Sequence, residues 1–236
     1  MCTIGAKKIG GSFIIFKNRD LQHARKTRIA REQGSVSKLL VTDEKGHCEG
    51  FNECGIGVVE AMLQPFPRTR TVPFARIARR ILDQKTVQGA VEAIRGSKTS
   101  CNAIVSDGES AFAVEKTPHG FAATRIRGQG ILTNLSVKLD SRNGSRLASV
   151  RGWAAARYAR GNELARKAKS LKGIIRLLSD RKGWPGRSIC SGGSWWIPTR
   201  CSYIFDLEKR TIYFSRTSPG TGSFRAYKLK PRGKEG

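Results

Sequence analysis

The stretch MCTIGAKKIGGSFIIFKNRD, residues 1–20, is the part of the sequence that decides the fold. Residues 3–6 and 12–16 are apolar-rich strand candidates, and they flank a glycine-containing turn at residues 7–11. This pattern predicts a β-hairpin. A hairpin of this kind returns Asp20, at the end of the second strand, to the neighbourhood of the amino terminus.

The second residue, Cys2, is a candidate nucleophile because of its position. A small residue at position 2 allows Met1 to be removed, which would leave Cys2 with a free α-amine. Such an amine has a pKa of about 7.7–8.0, so its neutral fraction can accept the thiol proton directly or through one water. Asp20 could hold the ammonium by a charge-assisted hydrogen bond. Many chains begin Met-Cys by chance, and Asp is common where a strand ends, so each feature alone has an ordinary structural explanation.

The rest of the chain alternates between strand and helix patterns. The apolar and turn-residue spacing predicts a strand at 56–63, helices at 74–82 and 87–94 with Thr86 as an N-cap, strands at 102–105, 111–115, 120–126 and 130–134, a helical region from about Arg146 to Arg181 broken near Gly161, a loop at 183–198, and strands at 201–207 and 211–215. This order predicts a layered α+β fold with one domain over residues 1–236.

The charge is unusual: 44 Lys and Arg residues against 18 Asp and Glu give a net charge of +26. This excess would attract nucleic acid, anionic membranes or acidic ligands. Because no nucleic-acid-binding motif stands out, we interpret the charge first as a proteome-level or solubility trait, with a basic nucleic-acid- or anion-binding protein as the alternative. No apolar run of membrane-spanning length and no signal-peptide pattern are present, so a cytoplasmic protein without a membrane partner is expected.

Cysteine and histidine spacing gives no sign of a metal centre. The six cysteines contain no CxxC pair, and the three histidines are scattered. We therefore predict no metal and no cofactor. The five cysteines other than Cys2 are expected to be small buried hydrophobic residues.

Seven short motifs occur in an order that resembles a known superfamily. They are Met-Cys-Thr at 1–3, Asn-x-Asp at 18–20, Asn-Glu-x-Gly-Ile-Gly at 52–57, NAIVSDGESAFAVE at 102–115, Leu-Thr-Asn at 132–134, SRNGSRLASVR at 141–151 and TRCSYIFDLEKRTIYFSRTSP at 199–219. Together they resemble the N-terminal-nucleophile (Ntn) hydrolases of the penicillin V acylase and choloylglycine hydrolase superfamily. The similarity is greatest to the acyl-coenzyme A:isopenicillin N acyltransferase family.

The resemblance implies a four-layer αββα sandwich of two antiparallel sheets between helical layers. It implies Cys2 as the nucleophile, Asp20 as the partner of its α-amine, and Asn134 as an oxyanion-hole amide. The side chain of Asn134 is suited to this role, since an apolar strand ending in Asn can present an amide to a developing oxyanion. A backbone N–H near Met62 is implied as the second oxyanion donor.

Four further residues are expected to have secondary or substrate-binding roles: Lys17, Arg19, Asn52 and Arg200. Lys17 stands where bile-salt and penicillin hydrolases carry an arginine, and Leu135 replaces the histidine usual after Thr-Asn. The late active-site arginine of the family has no clear match, and Arg200 is only a neighbour of that position. These differences bear on substrate choice more than on the core chemistry.

The activity implied by the resemblance is acyl transfer through an acyl-Cys2 intermediate. The substrate would be a linear amide or a thioester, either a small-molecule amide or an acyl-coenzyme A, and the basic charge favours an anionic one. The sequence leaves open hydrolysis against transfer to an acceptor. It also leaves open the oligomeric state, with a homo-oligomer among the alternatives.

Overall fold

The computed structural model describes residues 1–144, 147–192, 197–220 and 222–230. In these residues the elements, in chain order, are β1 (Cys2–Ile9), β2 (Ser12–Asp20), β3 (Thr27–Glu32), β4 (Lys38–Asp43), β5 (Cys48–Asn52), β6 (Gly57–Met62), α1 (Phe74–Leu82), α2 (Val87–Arg95), β7 (Cys101–Ser106), β8 (Ala111–Thr117), β9 (Gly120–Arg125), β10 (Gln129–Leu132), α3 (Ala148–Lys167), α4 (Leu171–Leu178), β11 (Thr199–Asp206), β12 (Thr211–Ser215) and β13 (Arg225–Lys228). None of the described helices is long and apolar enough to cross a membrane.

The strands form two antiparallel sheets. The first has six strands in the order β10-β1-β2-β11-β12-β13, and the second has seven in the order β3-β4-β5-β6-β7-β8-β9. One apolar core lies between the sheets, with Ile15, Val59 and Phe205 among its members. Helices α1 and α2 cover the outer face of the seven-stranded sheet, and α3 and α4 cover that of the six-stranded sheet. The expected four-layer αββα sandwich is confirmed.

The amino-terminal hairpin positions the first and last residues of the opening stretch. Strands β1 and β2 pair from Ile9 opposite Ser12 to Cys2 opposite Arg19. On its other side β2 pairs with β11, which places Thr199 opposite Asp20. Because β2 lies between β1 and β11, the amino terminus and the start of β11 meet at one end of the sheet.

The predicted break near Gly161 is wrong. Helix α3 runs through Gly161 without interruption, and the chain leaves the helix after Lys167 before Ser170 caps α4. A Cβ at position 161 would lie 2.9 Å from Ile131, so the glycine permits close packing of the helix on the sheet rather than ending the helix. The predicted start at Arg146 lies outside the described residues.

Candidate active site

Cys2 begins β1, and its side chain is partly exposed at the edge of the core between the sheets. Its backbone N–H donates a 2.6 Å hydrogen bond to Asn134 Oδ1. Burial raises the pKa of the Cys48 and Cys201 thiols to about 11. Cys54 is exposed on a turn, so the expectation that the five other cysteines are buried is wrong for this residue. Cys2 is therefore the cysteine that combines partial exposure with a polar, structured environment.

Asn134 follows β10 and joins the two sheets at this end of the molecule. Its Nδ2 donates to the carbonyl of Met62, at the end of β6, over 2.8 Å. The amide nitrogen carries two N–H groups, so one of them remains for another acceptor. The expected contribution of Met62 was a backbone N–H, but its contact with Asn134 is made through its carbonyl.

Asn102 holds the segment that carries Asn134. Its buried Nδ2 donates to the carbonyls of Thr133 and Leu135, both at 2.6 Å. The two bonds fix the residues on either side of Asn134. Sequence reasoning placed Asn102 in a motif but gave it no role.

Asp20 is fully buried, and its carboxylate has two partners in the part of the chain that the structure describes. Thr199 donates its hydroxyl to Oδ1 over 2.7 Å, and Arg157 Nη1 lies 3.3 Å from Oδ2. The amino group of Met1 donates to the Asp20 backbone carbonyl over 3.2 Å. Burial raises the pKa of Asp20 to about 6, against the opposing effects of the terminal ammonium, Arg157 and Thr199. The carboxylate therefore changes charge close to neutral pH.

Arg157, on α3, is a site residue that the sequence did not predict. Its side chain is fully buried, burial lowers its pKa, and its Nη2 has no hydrogen-bond partner among the described residues. In the sequence it stands among alanines and many other basic residues, which is typical of a solvated helix face. Only the packing of α3 on β1 and β10 reveals its position.

Lys17 lies on the face of β2 opposite to that of Asp20, between the two sheets. Its Nζ lies 2.5 Å from Glu49 and 3.6 Å from Glu60, and Tyr203 donates its hydroxyl to the other Glu49 oxygen over 2.8 Å. Burial alone would lower the pKa of Lys17, but Glu49, Cys2 and Glu60 outweigh burial and raise it. Burial also raises the pKa of Glu60 to about 7.

Arg19 lies on the same face as Lys17 and directly opposite Cys2. Its guanidinium donates to Asp43 over 2.5 Å and to the Thr27 hydroxyl over 3.2 Å. The sequence placed Arg19 near the site but offered no sign of these partners. The cation next to Cys2 is thus held in place by the seven-stranded sheet.

The structure does not bring Asn52 to this cluster. Asn52 is buried, and it donates to the carbonyls of Leu82 and Gln84 at 2.9 and 2.8 Å. It lies next to the start of β6, whereas Met62 ends that strand, roughly 17 Å away at 3.3 Å per residue. These contacts give Asn52 the role of anchoring the end of α1.

Arg200 lies beside the cluster. It follows Thr199, and its guanidinium donates to the carbonyls of Leu21 and Gln22 at 3.3 and 3.1 Å. No group of three or more His, Cys, Asp or Glu side chains in the described ranges is arranged to hold a metal ion.

Comparison with solved structures shows that a bile acid hydrolase has the same fold. The C2A mutant of the conjugated bile acid hydrolase from Clostridium perfringens superposes with a TM-score of 0.59 over 98% of this chain and 97% of that one, at 14% identity. A variant of the same hydrolase with an arginine replaced by leucine gives the same TM-score and identity over 97% of both chains. No curated protein sequence matches.

The sequence itself matches a family profile. The match is to the family described as acyl-coenzyme A:6-aminopenicillanic acid acyl-transferase, and it covers residues 11–221 of the 236. The matched range includes Asp20, Asn134 and Arg157, and it covers β2 to β12 and all four described helices, whereas Cys2 and β1 precede it. The chain therefore belongs to the acyl-coenzyme A:6-aminopenicillanic acid acyl-transferase family.

Proposed function

We propose that this protein is a cysteine Ntn amidohydrolase or acyltransferase, which forms an acyl-enzyme on Cys2 after Met1 is removed. The observation that carries the proposal is the meeting of three chain segments at the amino terminus. The Cys2 nitrogen donates to Asn134 Oδ1 over 2.6 Å, and the Met1 amino group donates to the backbone carbonyl of Asp20 over 3.2 Å. Removal of Met1 would convert the Cys2 peptide N–H into an amine at the same place.

The chemistry begins with that amine. As a neutral base it accepts the proton of the Cys2 thiol, directly or through one water, and the thiolate attacks the substrate carbonyl. The C–N or C–S bond to the leaving group then breaks, and the ammonium returns its proton to the leaving group. Water or an acceptor amine attacks the thioester and releases the acyl group.

We assign to Asp20 the stabilisation of the positive charge on the α-ammonium, and to Asn134 that of the negative charge on the oxyanion. Asp20, ionised above a pKa of about 6, orients the ammonium. The remaining N–H of Asn134 can donate to the oxyanion, and a donor of this kind is worth roughly 3 kcal/mol of barrier. The family is named for acyl transfer and the structural neighbours for hydrolysis, which supports both fates of the acyl-enzyme.

A matched pair of cysteine variants tests the proposal on a panel of linear amides and acyl thioesters. Cys2→Ala should abolish turnover while the far-UV circular dichroism and melting temperature stay unchanged. Cys54→Ala, which removes an exposed cysteine on a turn, should keep full turnover. Undiminished turnover in Cys2→Ala, or in a chain with an amino-terminal extension that cannot be removed, would refute the proposal.

A further inference from the structure

Two buried polar residues of the seven-stranded sheet hold the segment that carries Asn134. Asn102 on β7 and Glu115 on β8 lie directly opposite each other in the strand register, so their side chains share one face of the sheet. Ala61, the residue opposite Asn102 on β6, belongs to the apolar core between the sheets. Both polar side chains therefore point toward the six-stranded sheet, in which β10 ends at Leu132.

Asn102 holds the backbone on both sides of Asn134. Its bonds to the carbonyls of Thr133 and Leu135 use both N–H groups of its amide. In the strand register Asn102 also lies opposite the penultimate residue of β6, the strand that ends at Met62. Asn102 thus ties together the two chain segments that meet in the bond from Asn134 Nδ2 to the Met62 carbonyl.

The acceptor of the same amide has no comparable use. Asn102 Oδ1 is buried and has no hydrogen-bond partner among the described residues. A buried polar atom without a partner is unfavourable for stability, and native folds contain few of them. The arrangement satisfies the donors of Asn102 and not its acceptor, as expected of a side chain that is placed to hold the two carbonyls.

Glu115 holds the residues that follow Asn134. Its carboxylate accepts from four groups at 2.7 to 3.2 Å, which are the hydroxyl of Ser136 and the backbone N–H groups of Val137, Lys138 and Leu139. Hydrogen bonds to a carboxylate are stronger than those between neutral groups. Because they converge on one buried side chain, these bonds fix the turn after Asn134 against the seven-stranded sheet.

The position of the Asn134 amide depends on these two residues. Asn134 lies beyond the end of β10, so strand pairing does not hold it. Its Oδ1 accepts from the Cys2 nitrogen, and one N–H donates to the Met62 carbonyl. The remaining N–H is the oxyanion donor of the proposed function, and such a donor is effective only when it is held where the oxyanion forms.

We propose that Asn102 and Glu115 are positioning residues of the oxyanion hole, which act on the reaction through Asn134. The proposal rests on the proposed function, since the oxyanion is the one that attack by Cys2 creates. The hydrogen bonds of Asn102 and Glu115 are independent of catalysis and can be tested without turnover. The two proposals can therefore fail separately.

A double-mutant cycle on kcat tests the role of Asn102. Asn102→Leu removes both donors at similar size and should lower kcat about hundredfold with KM within about twofold, because it displaces the Asn134 amide without removing a substrate contact. In an Asn134→Ala background the amide is already absent, so Asn102→Leu should change kcat by less than about threefold. An unchanged kcat in Asn102→Leu, or a hundredfold fall in both backgrounds, would overturn the proposal.

Asn52→Leu is the matched control for the loss of buried hydrogen bonds. Asn52 is also buried on the seven-stranded sheet and donates to two carbonyls at the end of α1, and its Oδ1 accepts from the Ile56 N–H. Both variants should lower the urea midpoint, but Asn52→Leu should keep kcat within about twofold of the wild type under conditions where it is folded. An equal fall of kcat in the two variants would assign the effect to lost structure and overturn the proposal.

Glu115→Gln provides a second test if Asn102→Leu does not fold. Glutamine keeps the size of the side chain but replaces one acceptor oxygen by an N–H donor, so kcat should fall about tenfold at unchanged KM. The amides of Val137, Lys138 and Leu139 should also exchange faster with deuterium than in the wild type. If only one of these two changes occurs, or neither, the proposal is wrong. The exchange is measured without a substrate, so a failure of the Cys2 proposal leaves it interpretable.

Discussion

The two faces of β2 near its end use buried charge in opposite ways. Successive side chains of a strand point to opposite faces, so Asp20 faces the helices while Lys17 and Arg19 face the other sheet. Among the residues that the structure describes, the Asp20 carboxylate has one cationic side chain within 4.0 Å, Arg157 at 3.3 Å. Lys17 has two carboxylates, the nearer of them Glu49 at 2.5 Å.

The balance between burial and pairing differs accordingly. For Asp20 burial is the larger influence, and its pKa rises to about 6. For Lys17 the neighbouring carboxylates outweigh burial, and its pKa rises as well, which keeps the amine charged. The buried cation Lys17 therefore keeps its charge, whereas burial raises the pKa of a carboxyl on each face, Asp20 to about 6 and Glu60 to about 7.

The largest effect is expected for Asp20→Asn. Loss of the carboxylate that we propose orients the α-ammonium should lower kcat/KM about 10³-fold, equivalent to about 4 kcal/mol. Thr199→Val, which removes one hydrogen bond to the same carboxylate, should cost only about tenfold. Turnover is measured at pH 7.5 below the melting temperature of each variant, because Asp20→Asn leaves Arg157 unpaired. Equal rates in Asp20→Asn and the wild type would contradict a role for Asp20.

The second effect concerns the face of β2 that carries Lys17. Lys17→Met leaves Glu49 and Glu60 buried without their cation, and the free energy of unfolding should fall by about 3 kcal/mol at pH 7. The loss should be smaller at pH 5, because protonation of the carboxylates relieves the unpaired charge. The change in the free energy of unfolding is measured by urea denaturation of Lys17→Met and of the exposed control Lys169→Met. A loss no greater than that of the control would show that the pair is energetically neutral.

The third effect is a shift of pH dependence. Ionised Asp20 should give kcat/KM an acid limb near pH 6, falling as the pH drops. Arg157→Met removes the cation that favours the carboxylate, so the limb should move upward by about one pH unit, or about 1.4 kcal/mol. Arg160→Met is the control on the same helix, since Arg160 pairs with Asp180 and Glu163. An acid limb at the same pH in Arg157→Met and the wild type would show that Arg157 does not influence the pKa of Asp20.

The smallest effect is expected for Glu60→Gln. The pKa of Glu60 is also raised, to about 7, so it could in principle produce an acid limb. Because Glu60 lies against Lys17, on the side of β2 away from Asp20, its variant should keep the limb within about 0.2 pH unit of the wild type, less than about 0.3 kcal/mol. Disappearance of the limb would assign it to Glu60 instead of Asp20. The measurement is the same pH profile of kcat/KM.

Local sequence patterns predicted much of the fold. The apolar-rich segments and the glycine turn of residues 1–20 predicted the hairpin, and the spacing of apolar residues predicted α1 and α2 with the Thr86 cap. The pattern of apolar residues gave no separate bounds for strands β4 and β5. Both strands are buried on both faces, which removes the alternation that marks a half-buried strand.

The site was predictable only where a residue belonged to a motif. The sequence pointed to Cys2, Asp20 and Asn134, and the structure brings their segments together. It gave no sign of Arg157, because a buried arginine on a helix looks like an exposed one until its partner is known. The pairing of Lys17 with Glu49 likewise depends on the packing of two sheets, which no local pattern encodes.

Acylation of Cys2 can be observed by intact-mass and peptide mass spectrometry after incubation with an acyl thioester or linear amide. We predict a chain without Met1 whose amino-terminal peptide carries one acyl group on Cys2. The adduct should be present in Cys54→Ala and absent from both Cys2→Ala and a chain with a fixed amino-terminal extension. Substrate turnover without any adduct on the Cys2 peptide, or an adduct on another residue that turns over at the same rate, would contradict it.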